Sequence, residues 1–411
     1  MPDRMKKILL IAGLVVATLA LAYLLYYFFI KASPLGQLPG QPATGPSAPT
    51  GNLPSAGERT ATTGPSGAGT GAGQLPTAGT VPGVQPSYYR PTATNKIAES
   101  IASFSSANSS GNLRYYNAAD GKFYSLGADN KAKSLSDQAF YNVQKITWAN
   151  KSDKAVLEYP DGSKIVYDFE KQKQATLPKH WEEFSFSSDG EQIAAKSIGL
   201  SPENRWLVTV DSDGSGTTLV EPMGNNADKV IVDWSPSRQT VAFSMTGREF
   251  GTYRKEILFV GLHGENFKSF VAEGLGFQPQ WSTTGQKLLY SVYSDRSDLK
   301  PELWVVDSYG QQIGGNRTNL EINTWANKCA FGNDETLYCA VPRSLPQGSG
   351  ISPQIADSIA DDVYKIDLKT GLKNKLTMDR EMNVGGLTYD ETNKRLILND
   401  KSGAGVFEIK L

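Results

Sequence analysis

Histidine and cysteine are almost missing from this chain of 411 residues, with two of each. Zinc centres built from Cys and His therefore have little raw material, and no metal site is expected. His180 and His263 lie far apart with no cysteine beside either, so histidine-based catalysis has little footing. Charge of one sign is also lacking. The 41 basic and 42 acidic residues leave no global field to draw nucleic acid. Neither a GxxxxGK[ST] phosphate loop nor a G-x-S-x-G nucleophile elbow occurs, and no cofactor is expected. What the chain does have is glycine (40 residues) together with 18 Tyr and 16 Phe, a composition suited to a turn-rich β protein.

The first ninety or so residues read differently from the rest. Residues 8–30 are uncharged and mostly aliphatic or aromatic, spanning roughly 34 Å as a helix, enough to cross a bilayer. Arg4, Lys6 and Lys7 precede this run and only Lys31 follows closely, which places the N-terminus in the cytoplasm. Tyr23, Tyr26, Tyr27, Phe28 and Phe29 crowd its far end, where an aromatic belt belongs. A cleaved signal peptide is the competing reading, since Ala20-Leu21-Ala22 resembles a cleavage site, but the apolar run continues past it. Residues 31–90, rich in Pro, Gly, Ala, Ser and Thr, cannot bury enough apolar surface to offset ordering. They are expected to form a disordered tether with a mean reach on the order of 40 Å. The expected organisation is a basic cytoplasmic tail (1–7), a transmembrane signal anchor (8–30), the tether (31–90) and a β domain over 91–411.

Within 91–411, short β-rich runs recur between Asp-Gly, Asn and Ser-Pro turns. An aromatic ends the first strand of each unit: Phe104, Trp148, Phe186, Trp234, Trp281, Trp325 and Tyr389. The period is roughly forty to fifty residues, with a wider last gap. Units of this kind cannot bury both faces alone and must stack on neighbours. An all-β, seven-bladed β-propeller is the expected fold, with six or eight blades and a generic β-sandwich as alternatives. The segments WSPSRQTVAFS (234–244) and WSTTGQKLLYS (281–291), the latter followed by ELWVVDSYG, resemble the TolB-type, WD40-like propeller unit. The plan of anchor, tether and propeller is similar to that of uncharacterised bacterial surface proteins; the resemblance implies architecture rather than a reaction. The last unit lacks its outer strand, and residues 88–97 are the natural donor to close the ring.

Connections from second to third strand share one face with those between blades. They are short in units one, two and seven but long in units three to six, over 197–204, 245–255, 293–301 and 342–362. The longest carries Ser352 and Pro353 in helix-opening positions, with Ile355 and Ile359 on one side of the expected short amphipathic helix. Its role is either a lid on neighbouring loops or an apolar contact for a partner. The candidate binding residues on this face are Phe250, Tyr253, Arg254, Tyr293, Arg296, Arg343, Ile355 and Ile359. Cys329 and Cys339 bracket a hairpin that sets them opposite each other, as a disulfide or as two buried thiols. Asp211–Gly216 resembles the opening of a calcium loop but lacks its later carboxylate, so a turn is expected. The expected function is a non-enzymatic binding scaffold, tethered outside the membrane, presenting these loops to a protein, peptide or glycan at the cell surface. One alternative is a hydrolase or lyase using acids such as Asp295, Asp298, Asp357, Asp361 and Asp362; another is a structural subunit of an envelope assembly.

Overall fold

The computed structural model describes residues 92–98, 102–107, 111–127, 129–403 and 405–411, with residues 18–21 and 23 near the N-terminus in helical conformation. Residues up to Pro82 form one unit and Gly83–Leu411 another. The remainder of the expected span 8–30 and the whole tether 31–90 lie outside the described residues. Among the described residues, no helix is long and apolar enough to cross a membrane.

Seven four-stranded antiparallel sheets make a seven-bladed β-propeller. Blades one to six cover 102–134, 145–177, 181–222, 230–272, 275–319 and 329–376, each a simple meander from inner to outer strand. The second strands are buried on both sides by adjacent blades, so they read as unbroken apolar runs. Lys287–Tyr293 is covered along its whole middle, as is most of Thr336–Pro342. Outer strands such as Ala132–Ser134 and Lys373–Leu376 are exposed and polar, which blunts the edge against further pairing. One apolar cluster fills each junction between neighbouring blades, for example Phe243, Ile257, Trp281, Leu288 and Tyr290 between blades four and five.

Blade seven confirms the expected closure. Its inner three strands are Val384–Asp390, Arg395–Asp400 and Gly405–Lys410, and the outer one is the N-terminal strand Thr94–Ala98. Thr94 lies opposite Ile409, and both its backbone N–H and its hydroxyl donate to Asp379. The seam between blades seven and one has a small described core of Leu113, Leu126, Ile397 and Val406. Buried cations supplement it. Arg395 donates to Asp390 at 2.7 Å, to Glu408 at 3.0 Å and to the Gly111 carbonyl of blade one at 3.1 Å. Arg114 then reaches the Ala149 and Ser152 carbonyls of blade two at 2.8 and 2.9 Å, and Lys154 reaches Ser212 Oγ of blade three at 2.8 Å. Each cation thus bonds carbonyls or a hydroxyl in a hairpin or turn of the next blade.

Two expectations need correction. Trp325 does not end a first strand: it precedes a buried 3-10 turn, Ala326–Lys328, that leads into blade six. Its place is taken by Phe331, which pairs with Leu337 as Trp281 pairs with Leu288 and Trp148 with Ala155. The Trp-Ala-Asn sequence shared with residues 148–150 made the wrong aromatic look equivalent. The helix expected after Ser352 is only a 3-10 turn, Pro353–Ala356, without a side-chain cap. Asp211–Gly216 is a turn, as expected, closed by Asp213 accepting from Ser215.

Cys329 and Cys339 are joined in a disulfide across the first hairpin of blade six, with Cα atoms 4.0 Å apart. Both residues are buried, so native protein should resist alkylation, and thiols should appear only on unfolding under reductant. Replacing both by alanine is expected to cost about 3 kcal/mol, the chain-entropy value for so short a loop, read from denaturant midpoints. An unchanged midpoint would contradict a formed bridge.

Candidate functional site

The enlarged loops do share one face. Between strands they run over 199–204, 245–254, 294–300 and 343–360, against 118–121, 159–163 and 401–404 in the short-looped blades. They do not stand apart from one another. The blade-six insert is closed at its base by Arg343 N–H donating to the Ala360 carbonyl, and it lies across blade five. Gly348 N–H donates to the Asp298 carbonyl at 3.0 Å, and Gly350 N–H to the Leu299 carbonyl at 2.8 Å. Asp298 and Leu299 both adopt left-handed backbone, unusual for two successive non-glycine residues, and their carbonyls receive the insert. On its other flank the insert reaches blade seven, where Asp357 pairs with Lys401 and Asn383 donates to the Asp357 carbonyl. The lid reading of this insert describes these contacts.

Beside the lid, between blades four and five, lies a cleft of about 770 Å³. Its apolar lining is Met245, Ile257, Leu275 and Phe277; Asp228, Lys229, Glu249, Arg254 and Lys255 are its charged members. Glycines shape one wall. A Cβ at Gly274 would come within 2.6 Å of Val292, and one at Gly276, whose φ is +67°, within 2.4 Å of the Tyr293 ring. The backbone can therefore press onto the second strand of blade five and turn out at Leu275, which is 37% exposed. The strand register is irregular at this point, between Leu275 and Gln278.

The predicted residues do not form one cluster. Arg254 and Arg296 come together on Glu273, at 3.1 and 3.5 Å, and Arg317 joins them at 3.0 Å. Glu273 is 12% exposed at its side chain and holds three guanidiniums, leaving local positive charge beside the cleft. It was missed because a single Glu between two blades carries no motif. Phe250 is 42% exposed, with the Arg248 guanidinium 5.5 Å from its ring, and Tyr253 is half-buried in the same loop. Tyr293 is a half-buried pillar, packed by Gly276 and Gly350, rather than a presented contact. Arg343 belongs to a separate charged group with Asp362 and Glu381. Ile355 is exposed and Ile359 half-buried; with only one 3-10 turn between them they form no shared stripe.

The acids of the enzyme alternative are mostly neutralised one by one. Lys328 bonds both oxygens of buried Asp361 at 2.8 Å, and Val384 N–H donates to it at 2.7 Å. Burial still raises the Asp361 carboxyl above the usual range and lowers the Lys328 ammonium. Asp362 is held by Arg343 and Lys375, Asp357 by Lys401, and Asp298 by Lys300. Asp295 opens the 3-10 turn Asp295–Ser297. Among the described residues no group of three or more His, Cys, Asp or Glu could hold a metal ion.

Fold and site together define a seven-bladed propeller, closed by its N-terminal strand and built up on one face. Solved structures bear out the fold. The chain is similar to the Cps50 (Swd1) β-propeller domain of Myceliophthora thermophila, with a TM-score of 0.51 and 12% identity over 77% of this chain and 99% of that one. It is similar also to an oligogalacturonate lyase in complex with manganese, with a TM-score of 0.53 and 12% identity over 77% of this chain and 93% of that one. TolB from Acinetobacter baumannii is a more distant likeness, with a TM-score of 0.41 and 12% identity over 66% and 64% of the two chains. No protein-family model and no curated protein sequence matches the chain. At these identities the likeness concerns the fold, which serves enzymes and non-enzymes alike.

Proposed function

We propose that the chain is a binding scaffold that grips a protein or peptide at the cleft between blades four and five, beside the blade-six lid. The observation that carries this reading is the cleft itself: an apolar floor of Met245, Ile257, Leu275 and Phe277, with charged side chains around it, on the face where four blades enlarge their loops. Such a floor suits an apolar side chain of a polypeptide better than the hydroxyls of a glycan. The individually neutralised acids favour binding over paired-carboxylate chemistry. We place the propeller outside the cytoplasm, held by the 8–30 anchor and the 31–90 tether; the buried Cys329–Cys339 disulfide supports an oxidising compartment.

Leu275→Asp tests the reading, because it puts a carboxylate on the cleft floor without touching a strand core. Partner capture by crosslinking on intact cells is expected to fall at least tenfold, while Leu200→Asp, on a fully exposed loop position of the same face, leaves it unchanged. Equal capture by wild type and Leu275→Asp would contradict the assignment.

A further inference from the structure

On the face opposite the enlarged loops, the central channel opens into a second cavity of about 650 Å³. The repeat explains its wall. In blades two to seven the residue immediately before the anchor aromatic is Thr147, Ser185, Asp233, Gln280, Ala330 and Thr388, and all six line this cavity. The anchors line it too, so the aromatic residues that mark the repeat also collar the channel. Two neighbours show how the preceding position is normally used. Ser185 Oγ accepts from Trp234 N–H of the next blade at 2.9 Å, and Gln280 Nε2 donates to the Cys329 carbonyl of the next blade at 3.0 Å.

Asp233 departs from that pattern. Burial is the single influence on its carboxyl: among the described residues, no hydrogen bond or ion pair engages it. In the adjacent blade, Gln280 Oε1 is buried and likewise has no partner. Asp233 thus offers an acceptor without a donor to a cavity collared by Trp148, Trp281 and Tyr389, while Gln280 Oε1 in the adjacent blade is buried. The charged groups along the described wall are Asp233 and Lys151, the latter from blade two, with blade three between them. A metal ion is not served by one carboxylate and one amide, and no metal-ligating cluster is found among the described residues. An ammonium or guanidinium is served, since it carries only donors, needs a counter-charge and is attracted to aromatic rings.

We propose that this channel mouth binds an organic cation, the ammonium or guanidinium of a basic side chain or of a free amine, with Asp233 as counter-ion and the aromatic collar of Trp148, Trp281 and Tyr389 around it. The site is independent of the cleft on the other face.

The empty site should be linked to protons. Asp233 is half-buried in the channel wall, and this burial pushes its carboxyl pKa up to about 8. A bound cation stabilises the ionised form, so affinity should rise with pH up to about 8 and level off above, with a proton released on binding near pH 7. In the free protein the sign is opposite. The folded pKa lies above the unfolded one, so stability is fullest at low pH and is lost as pH rises towards 8; Asp233→Asn should remove that decline in melting temperature.

The test is calorimetric titration of the full chain in detergent with methylguanidinium and with acetyl-Gly-Arg-Gly-amide, at pH 6 and pH 8, in two buffers of different ionisation enthalpy. The expected result is saturable binding at least tenfold tighter at pH 8, with proton release, and at least tenfold weaker in Asp233→Asn. The melting curve of that near-isosteric variant checks that it is folded. A peptide that binds more than tenfold tighter than methylguanidinium assigns the cation to a polypeptide; equal affinities assign it to a free small cation. No saturable binding of either probe at pH 8, or equal binding by folded Asp233→Asn, overturns the proposal.

Discussion

Removing residues 405–411 is expected to abolish cooperative folding of the propeller, not merely to fray one edge. The strand Gly405–Lys410 is not an edge: it lies between Arg395–Asp400 and the N-terminal strand Thr94–Ala98. Val406, Phe407 and Ile409 are fully buried in the last blade. At roughly 1.5–3 kcal/mol for each such side chain, their loss is comparable with the entire stability of an ordinary domain, about 5–15 kcal/mol. Truncation also strips the partner from Thr94–Ala98 and opens the ring at the seam with blade one. Calorimetry of the truncated chain should show no cooperative transition at the full-length melting temperature; a retained transition would contradict closure by this strand.

Arg395→Ala is expected to destabilise the propeller by about 3–5 kcal/mol, because Asp390 and Glu408 remain buried without their cation. The Gly111 carbonyl across the seam loses the shorter of its two donors as well, keeping Asn393 Nδ2 at 3.4 Å. Arg395→Lys keeps the charge but not the fork that reaches three acceptors, and should fall in between. Replacing all three, as Arg395→Met with Asp390→Leu and Glu408→Leu, should recover most of the loss, since apolar groups leave no charge unpaired. Denaturant unfolding measures all three variants. A cost under about 1 kcal/mol for Arg395→Ala would mean that the seam is held by its apolar contacts alone.

The fold was legible because each blade repeats a physical problem. Second strands, buried on both sides, must be continuously apolar, and the hairpins between strands need Gly, Asn or Asp at fixed places. Even the closing strand could be inferred, since the last unit ended one strand short. The error at Trp325 arose where a loop happened to copy the local sequence of an anchor; only pairing register separates Trp325 from Phe331. The site was legible in part. Loop length, a property of the sequence, located the enlarged face. The Arg254–Glu273–Arg296 contact depends on which blades adjoin, and the outward turn at Leu275 depends on backbone angle, so neither has a local signal. The channel collar was hidden differently: its aromatics were identified as repeat markers, but only closure of the ring brings them round one axis.

The central claim, that the enlarged-loop face is the working surface, is tested most directly by photocrosslinking on intact cells. A photoreactive amino acid is placed in turn at Phe250, Leu275 and Ile355 on that face, and at Lys131, Asp213 and Lys369 on the opposite one. Binding through the cleft predicts one shared adduct of discrete mass from Phe250 and Leu275, and none from Lys131, Asp213 or Lys369, which lie on the outer hairpins away from the channel mouth. Adducts formed only from Lys131, Asp213 or Lys369 would contradict it.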